Sequence, residues 1–281
     1  MKKNFSNCIN DFKKYDSMYN TFNTKRFGRL MRKTLMERPM QTFGLTGLLL
    51  LLSFILYSVI KSFGGFNPAQ NITFIWGLSG GGFFLASFVF GYFSSNAMGS
   101  TFLTLPASNF EKWLCGVLIT GVFYPLIFLL FFRLVDSSFV GIYHHGLDPA
   151  GPFYKQLYQS VYIFDFNGFV AWKVYPMYAF LAGSMLVGSL YFNKVAFIKT
   201  TIGISILILG VIGINWLMAT LFFGHINNAA PFNSVTIPAG KEEGSVELPR
   251  GIVDIINNSI WYVLPPVLWM LAYTRLREKE F

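Results

Sequence analysis

Apolar residues run in six long blocks separated by polar breaks, and each block has a length suited to lipid. A helix needs about 20 apolar residues to cross the hydrocarbon core. The blocks predict spans at 42–60, 72–93, 114–134, 168–192, 199–223 and 258–274. The first, Thr42 to Ile60, carries no charge and has a Leu-rich centre. The last is short, and Pro265-Pro266 interrupts it, which a span tolerates where neighbours satisfy the freed backbone groups. Around the spans lie a polar tail over 1–41, a loop over 94–113, outer segments over 135–167 and 224–257, and a short tail over 275–281. The predicted fold class is an all-α membrane protein with six transmembrane helices, an amino-terminal interfacial helix and two longer extracytoplasmic segments.

Composition agrees with that pattern. The chain is 53% hydrophobic and only 12% charged, against about 25% charged in a soluble domain. The net charge of +9 raises the question of nucleic acid, but ten of the 22 Lys and Arg residues sit in the first 41 positions. A basic tail beside a span meets anionic lipid and sets topology, so no nucleic acid is expected. Sixteen of the 22 fall on the side shared by the two termini, which predicts both termini cytoplasmic. The 1–41 tail does not read as a secretory signal, having no short apolar core followed by a small-residue cleavage site. Cys8 and Cys115 fit neither a disulfide framework nor a zinc site. Trp113, Trp172 and Trp261 fall at span edges, where interfacial anchors belong.

No Asp, Glu or His falls in the middle of a predicted span. Ionisable groups there are costly and are kept for proton or ion relay. Their absence argues against an ion-driven carrier and implies that energy for any uphill movement enters from outside the membrane. Small residues are present instead: Gly77 and Gly81 in the second span, Ser184 and Gly188 in the fourth, and Gly203, Gly210 and Gly213 in the fifth. Such spacing allows close helix approach, either within the chain or at a dimer seam.

Two polar elements carry more specific patterns. Over 25–38, Phe27, Leu30, Met31 and Leu35 recur at helical spacing, with Arg26, Arg29, Arg32 and Lys33 on the flanks and opposite face. That is a basic amphipathic helix suited to a membrane interface, and Pro39 stops it. In the 94–113 loop, Ser108 and Glu111 fit a capping box, so a helix is predicted to begin near Ser108 and continue into the third span.

The run Leu105-Pro106-x-Ser108-x-x-Glu111-Lys112 resembles the Leu-Pro-x-Ser-x-x-Glu-Lys/Arg segment of type-2 ABC transporter permeases, the membrane subunits of many bacterial ATP-driven exporters. The similarity of plan covers nearly the whole chain: an elbow helix, six spans, this loop between spans two and three, and a long outer segment before the last. In that family the loop carries a coupling helix that docks on a separate ATPase. The resemblance implies a docking region from Phe102 to Lys112, with Leu105 and Phe110 as apolar anchors, Pro106 and Ser108 shaping the turn, and Glu111 and Lys112 as polar contacts. It also implies ABC ATPase subunits as partners, ATP and Mg bound on them with no cofactor in this chain, and a second copy or related permease completing the pathway. The bacterial cytoplasmic membrane is the expected location. Residues 224–250 are more polar, and 135–167 longer, than the family plan needs, a departure from the family's usual outer gate that points to an extracytoplasmic partner or a specialised substrate. The alternatives are a non-transporting scaffold or sensor, and an ion-coupled carrier.

Other chemistry is poorly supported. His144-His145-x-x-Asp148 with His225 lacks the converging ligands of a catalytic zinc site, so no metal is expected. Gly80-Gly81-Gly82 lies in an apolar span without the Lys and Ser/Thr of a phosphate loop, and no catalytic motif is found.

Overall fold

The computed structural model describes residues 22–37, 39–91, 96–192, 195–239 and 242–279. The amino-terminal tail up to residue 21 with Cys8, Arg38, and residues 94–95 of the predicted loop lie outside them. In chain order the helices are α1 (Thr24–Glu37), α2 (Thr42–Gly64), α3 (Phe66–Val89), α4 (Asn96–Leu103), α5 (Asn109–His145), α6 (Tyr154–Ser160), α7 (Phe169–Tyr191), α8 (Ala196–Phe223) and α9 (Arg250–Glu278). Six of them, α2, α3, α5, α7, α8 and α9, are long and apolar enough to cross a membrane, consistent with an all-α membrane protein.

Each predicted span has its helix, but three boundaries move by more than five residues. The third was expected to end at 134, yet α5 continues to His145. The cause is the triplet Asp136-Ser137-Ser138, which reads as a polar break in sequence. Ser137 and Ser138 donate back to the Leu134 carbonyl, and Asp136 is fully buried with partners of its own, so none of the three interrupts the helix. The second span starts at Phe66, after a turn in which Gly65 holds φ +83°. The sixth reaches back to Arg250 and has a π-helical turn at Ser259–Val263, just ahead of Pro265 and Pro266, which sit in the first turn of the α-helix that follows.

Helix α7 stands at the centre, packed against α3, α9 and α8, while α2 packs on α3 and on the far half of α5. Toward the far end from α1, an aromatic core gathers Tyr57, Phe74, Phe128, Phe132 and Phe164. Nearer α1, a second core joins Phe90, Phe102, Met185, Leu190 and Leu276. Outward faces stay apolar: only 6% of the most apolar stretch of α8 is buried, and 11% in each of α2 and α9.

Close approach between the central helices depends on glycine. A Cβ on Gly77 would lie 2.3 Å from Phe128, one on Gly81 1.9 Å from the Tyr124 hydroxyl, and one on Gly188 1.9 Å from the Thr200 hydroxyl. Gly77, Gly81 and Gly188 therefore serve packing within this chain. Ser184 bonds to the carbonyls of Phe180 and Leu181 in its own helix. A Cβ on Gly203, Gly210 or Gly213 would meet nothing within 4 Å among the described residues. Further π-helical turns at Trp76–Gly80 and Ile119–Phe123 loosen the backbone ladder. Tyr124 donates to the Gly77 carbonyl and Tyr178 to that of Thr120, so buried phenols serve the carbonyls of both turns. Trp269 lies over Gly121 and Gly183 and donates to the Ala179 carbonyl at 2.8 Å, pinning α9 to α7.

The outer segment 224–257 was expected to be turn-rich, and it holds a three-stranded antiparallel sheet of β1 (Asn228–Ala230), β2 (Ser234–Ala239) and β3 (Glu242–Glu247). Asn228 faces Thr236 and Ser234 faces Glu247 in register. The sheet rests on the end of α8, where the Asn215 amide donates to the Ala229 carbonyl at 3.3 Å.

Replacing Gly81 by Ala should destabilise the protein by about 1–3 kcal/mol through overpacking. The cost should shrink in a Tyr124→Phe background, where the obstructing hydroxyl is gone. Thermal unfolding of the four proteins of that cycle in detergent measures the coupling.

Candidate functional site

The capping box predicted at Ser108 and Glu111 is present, and it is half of a larger joint. Ser108 adopts extended geometry (φ −68°, ψ 155°) and its hydroxyl accepts from the Glu111 N–H at 3.2 Å. The Glu111 carboxylate turns back to accept the Ser108 N–H at 3.0 Å. Both bonds satisfy N–H groups that a helix start leaves without partners. The same carboxylate also accepts from the Asn23 backbone N–H at 2.8 Å and from Nε and Nη2 of Arg26, each at 2.8 Å. Arg26 thus forms a bidentate fork, the strongest neutral-pH geometry for such a pair. Asn23 serves twice, since its side-chain oxygen accepts from the N–H groups of Lys25 and Arg26 and so caps α1.

This joint brings α1 against the first turns of α5. Leu30 packs with Cys115 and Ile119, and Phe27, Met31 and Leu35 pack against that cluster. The apolar stripe expected to lie on the membrane interface is therefore turned toward α5. Arg29, Arg32 and Lys33 remain exposed on the other faces of α1.

The run from Phe102 to Lys112 divides sharply by burial. Glu111 is 0% exposed and Lys112 is 1% exposed, so neither presents its side chain at the surface as a direct docking contact requires. Glu111 is drawn inward by the five bonds of the joint. Phe102 is buried beside Phe90 and Leu276, Ser108 is buried in its cap, and Leu105 is half-buried between two cores. Pro106 is exposed, and Phe110 is 42% exposed with its ring beside those of Phe22, Trp113 and Tyr273. Trp113, expected as an interfacial anchor, donates to the Trp269 carbonyl and ties α5 to α9.

At the far end of α5 lies a second buried carboxylate that sequence reasoning missed. Asp136 accepts the Tyr57 hydroxyl at 2.7 Å, the Gln70 amide at 2.8 Å and the Phe164 N–H at 2.7 Å. Gln70 donates as well to the Tyr162 carbonyl, and Arg133 to that of Phe164, with its guanidinium over the Phe166 ring. This node fastens α2, α3 and the 161–166 loop to α5. No acid lies within 114–134, but the helix runs past that span to His145 and carries Asp136 beyond it. The available signal was an Arg133–Asp136 pair at i, i+3 inside continuing apolar periodicity.

The His144 Nε2–H donates to the Val161 carbonyl at 3.0 Å, and the ring stacks on Tyr158 with ring centres 3.9 Å apart. Among the described residues no group of three or more His, Cys, Asp or Glu could hold a metal ion. No family model, curated protein or solved structure matches the chain.

Arg26→Ala should cost about 1.5–3 kcal/mol by leaving a buried carboxylate short of charge-assisted donors. It should also speed tryptic cleavage at Arg29 and Arg32 as α1 undocks, a readout on gels that simple loss of surface charge would not give. Asp136→Ala strands three buried donors and should cost at least about 3 kcal/mol, read as a lowered Tm in detergent.

Proposed function

We propose that this chain is the membrane-spanning permease subunit of an ATP-driven exporter of the ATP-binding-cassette type. In this reading α1 is the elbow helix, the termini are cytoplasmic in a bacterial inner membrane, and a second copy or related subunit completes the pathway. ABC ATPase subunits with ATP and Mg dock at the turn before α5. The observation that carries the reading is the Glu111 joint. It makes the docking turn, α1 and the start of α5 one mechanical body, so a push on the turn displaces the feet of the first and third spans together. The open surface for the ATPase is Pro106 and Phe110, while Glu111 transmits force from within.

The buried Asp136 favours a second reading, an ion-coupled carrier, because carboxylates at membrane depth serve proton and ion relay. Three hydrogen-bond donors converge on it, which is the arrangement of a structural clasp, so it ranks second.

In capture assays with a co-expressed ATPase, replacing Pro106 and Phe110 by Ala should reduce recovery at least about tenfold, the loss of a central hot spot. Glu111→Gln should retain capture yet weaken stimulation of ATP hydrolysis. Unchanged capture by the Pro106 and Phe110 variant would remove the docking role.

A further inference from the structure

Beside the Glu111 joint, α1 and the 105–107 turn enclose a groove of about 490 Å³. One wall carries Lys25, Arg29 and Lys33, and the other is formed by Leu105, Pro106 and Ala107. The three cations stand at i, i+4 and i+8 and so form one row along the helix. Arg26, next to them, is engaged by Glu111. Among the described residues no carboxylate pairs with Lys25, Arg29 or Lys33. Like charges at this spacing repel one another, so the row is relieved by a bound anion.

The facing wall narrows the choice of anion. It offers carbon surface, and the groove lies where two spans begin: α1 ends at Glu37 shortly before α2 starts at Thr42, and Ala107 directly precedes the Ser108 cap of α5. A ligand matching both walls has a negatively charged head and carbon directly attached, at the depth where helices enter lipid. We infer that the groove binds the headgroup of an anionic phospholipid. The phosphodiester lies against Lys25, Arg29 and Lys33, and its glycerol carbons lie against Leu105 and Ala107. Because the two walls belong to the two elements that Glu111 joins, the bound lipid braces that joint from outside. This assignment is independent of the exporter reading and survives if no ATPase docks.

The test uses purified full-length protein in a neutral detergent, titrated with dioctanoyl phosphatidylglycerol, dioctanoyl phosphatidylcholine or inorganic phosphate, with bound ligand counted by native mass spectrometry. Phosphatidylglycerol should bind at least about tenfold more tightly than phosphatidylcholine, and each of Lys25→Gln, Arg29→Gln and Lys33→Gln should weaken it about fivefold. The triple variant should lose on the order of a hundredfold. Lys25→Arg with Lys33→Arg keeps the charge and should keep the lipid, which separates loss of binding from misfolding. A charge-matched control, Lys155→Gln with Lys173→Gln and Arg250→Gln, should leave binding unchanged. Equal affinity for the two lipids, equal loss in both triple variants, or displacement of the lipid by millimolar phosphate would each overturn the assignment. So would an acidic peptide that occupies the groove in preference to lipid.

Discussion

The near end of the molecule is organised by a single carboxylate. Glu111 closes its own helix start, receives the backbone of Asn23 and takes the Arg26 fork, all with no exposed surface. Burying a charge is costly unless every lone pair is served. Here the service comes from residues 85 to 88 positions away, so satisfying one side chain dictates where an entire helix must lie. The Leu30–Cys115–Ile119 contact then follows, because the polar link has already brought those surfaces together.

The far end repeats the device with different chemistry. Asp136 gathers a phenol, an amide and a backbone N–H, and has Arg133 one turn before it in the same helix. Both carboxylates belong to α5, which at 37 residues is about 55 Å long and exceeds the hydrocarbon thickness of about 30 Å. The polar clasps therefore sit toward the ends of one rod while its middle is held by apolar contacts and glycine clearances. Between them, the paired phenols Tyr124 and Tyr178 let π-helical turns exist without orphaned carbonyls. Irregular backbone in the apolar interior is thus tied to particular hydroxyls.

What could be read from sequence followed the range of the interaction responsible. Hydrophobic blocks report local solvent preference, so the existence of six helices long and apolar enough to cross a membrane was legible. The Ser108–Glu111 cap spans three residues and was legible too. The Asn23 and Arg26 links to the same carboxylate were not, since nothing near Glu111 announces a partner so distant. Gly77 and Gly81 declared themselves as sites of close approach, but Phe128 and Tyr124, the residues they admit, lie on another helix. Asp136 was misjudged because a polar triplet marks a helix end only when its groups lack internal partners. The small sheet escaped because its strands are short, lie in a polar segment and pair only with one another.

Helix α8 has a different consequence. With 6% of its most apolar stretch buried and its glycines facing open space, almost no neighbour within the chain tests the shape of its side chains. Oiliness and length are the only demands the bilayer makes there. Exchanges among Ile, Leu and Val within that stretch are therefore close to invisible to folding, unlike changes at Phe197, which packs on the second core, so the stretch is free to drift or to be recruited without disturbing the carboxylate clasps elsewhere.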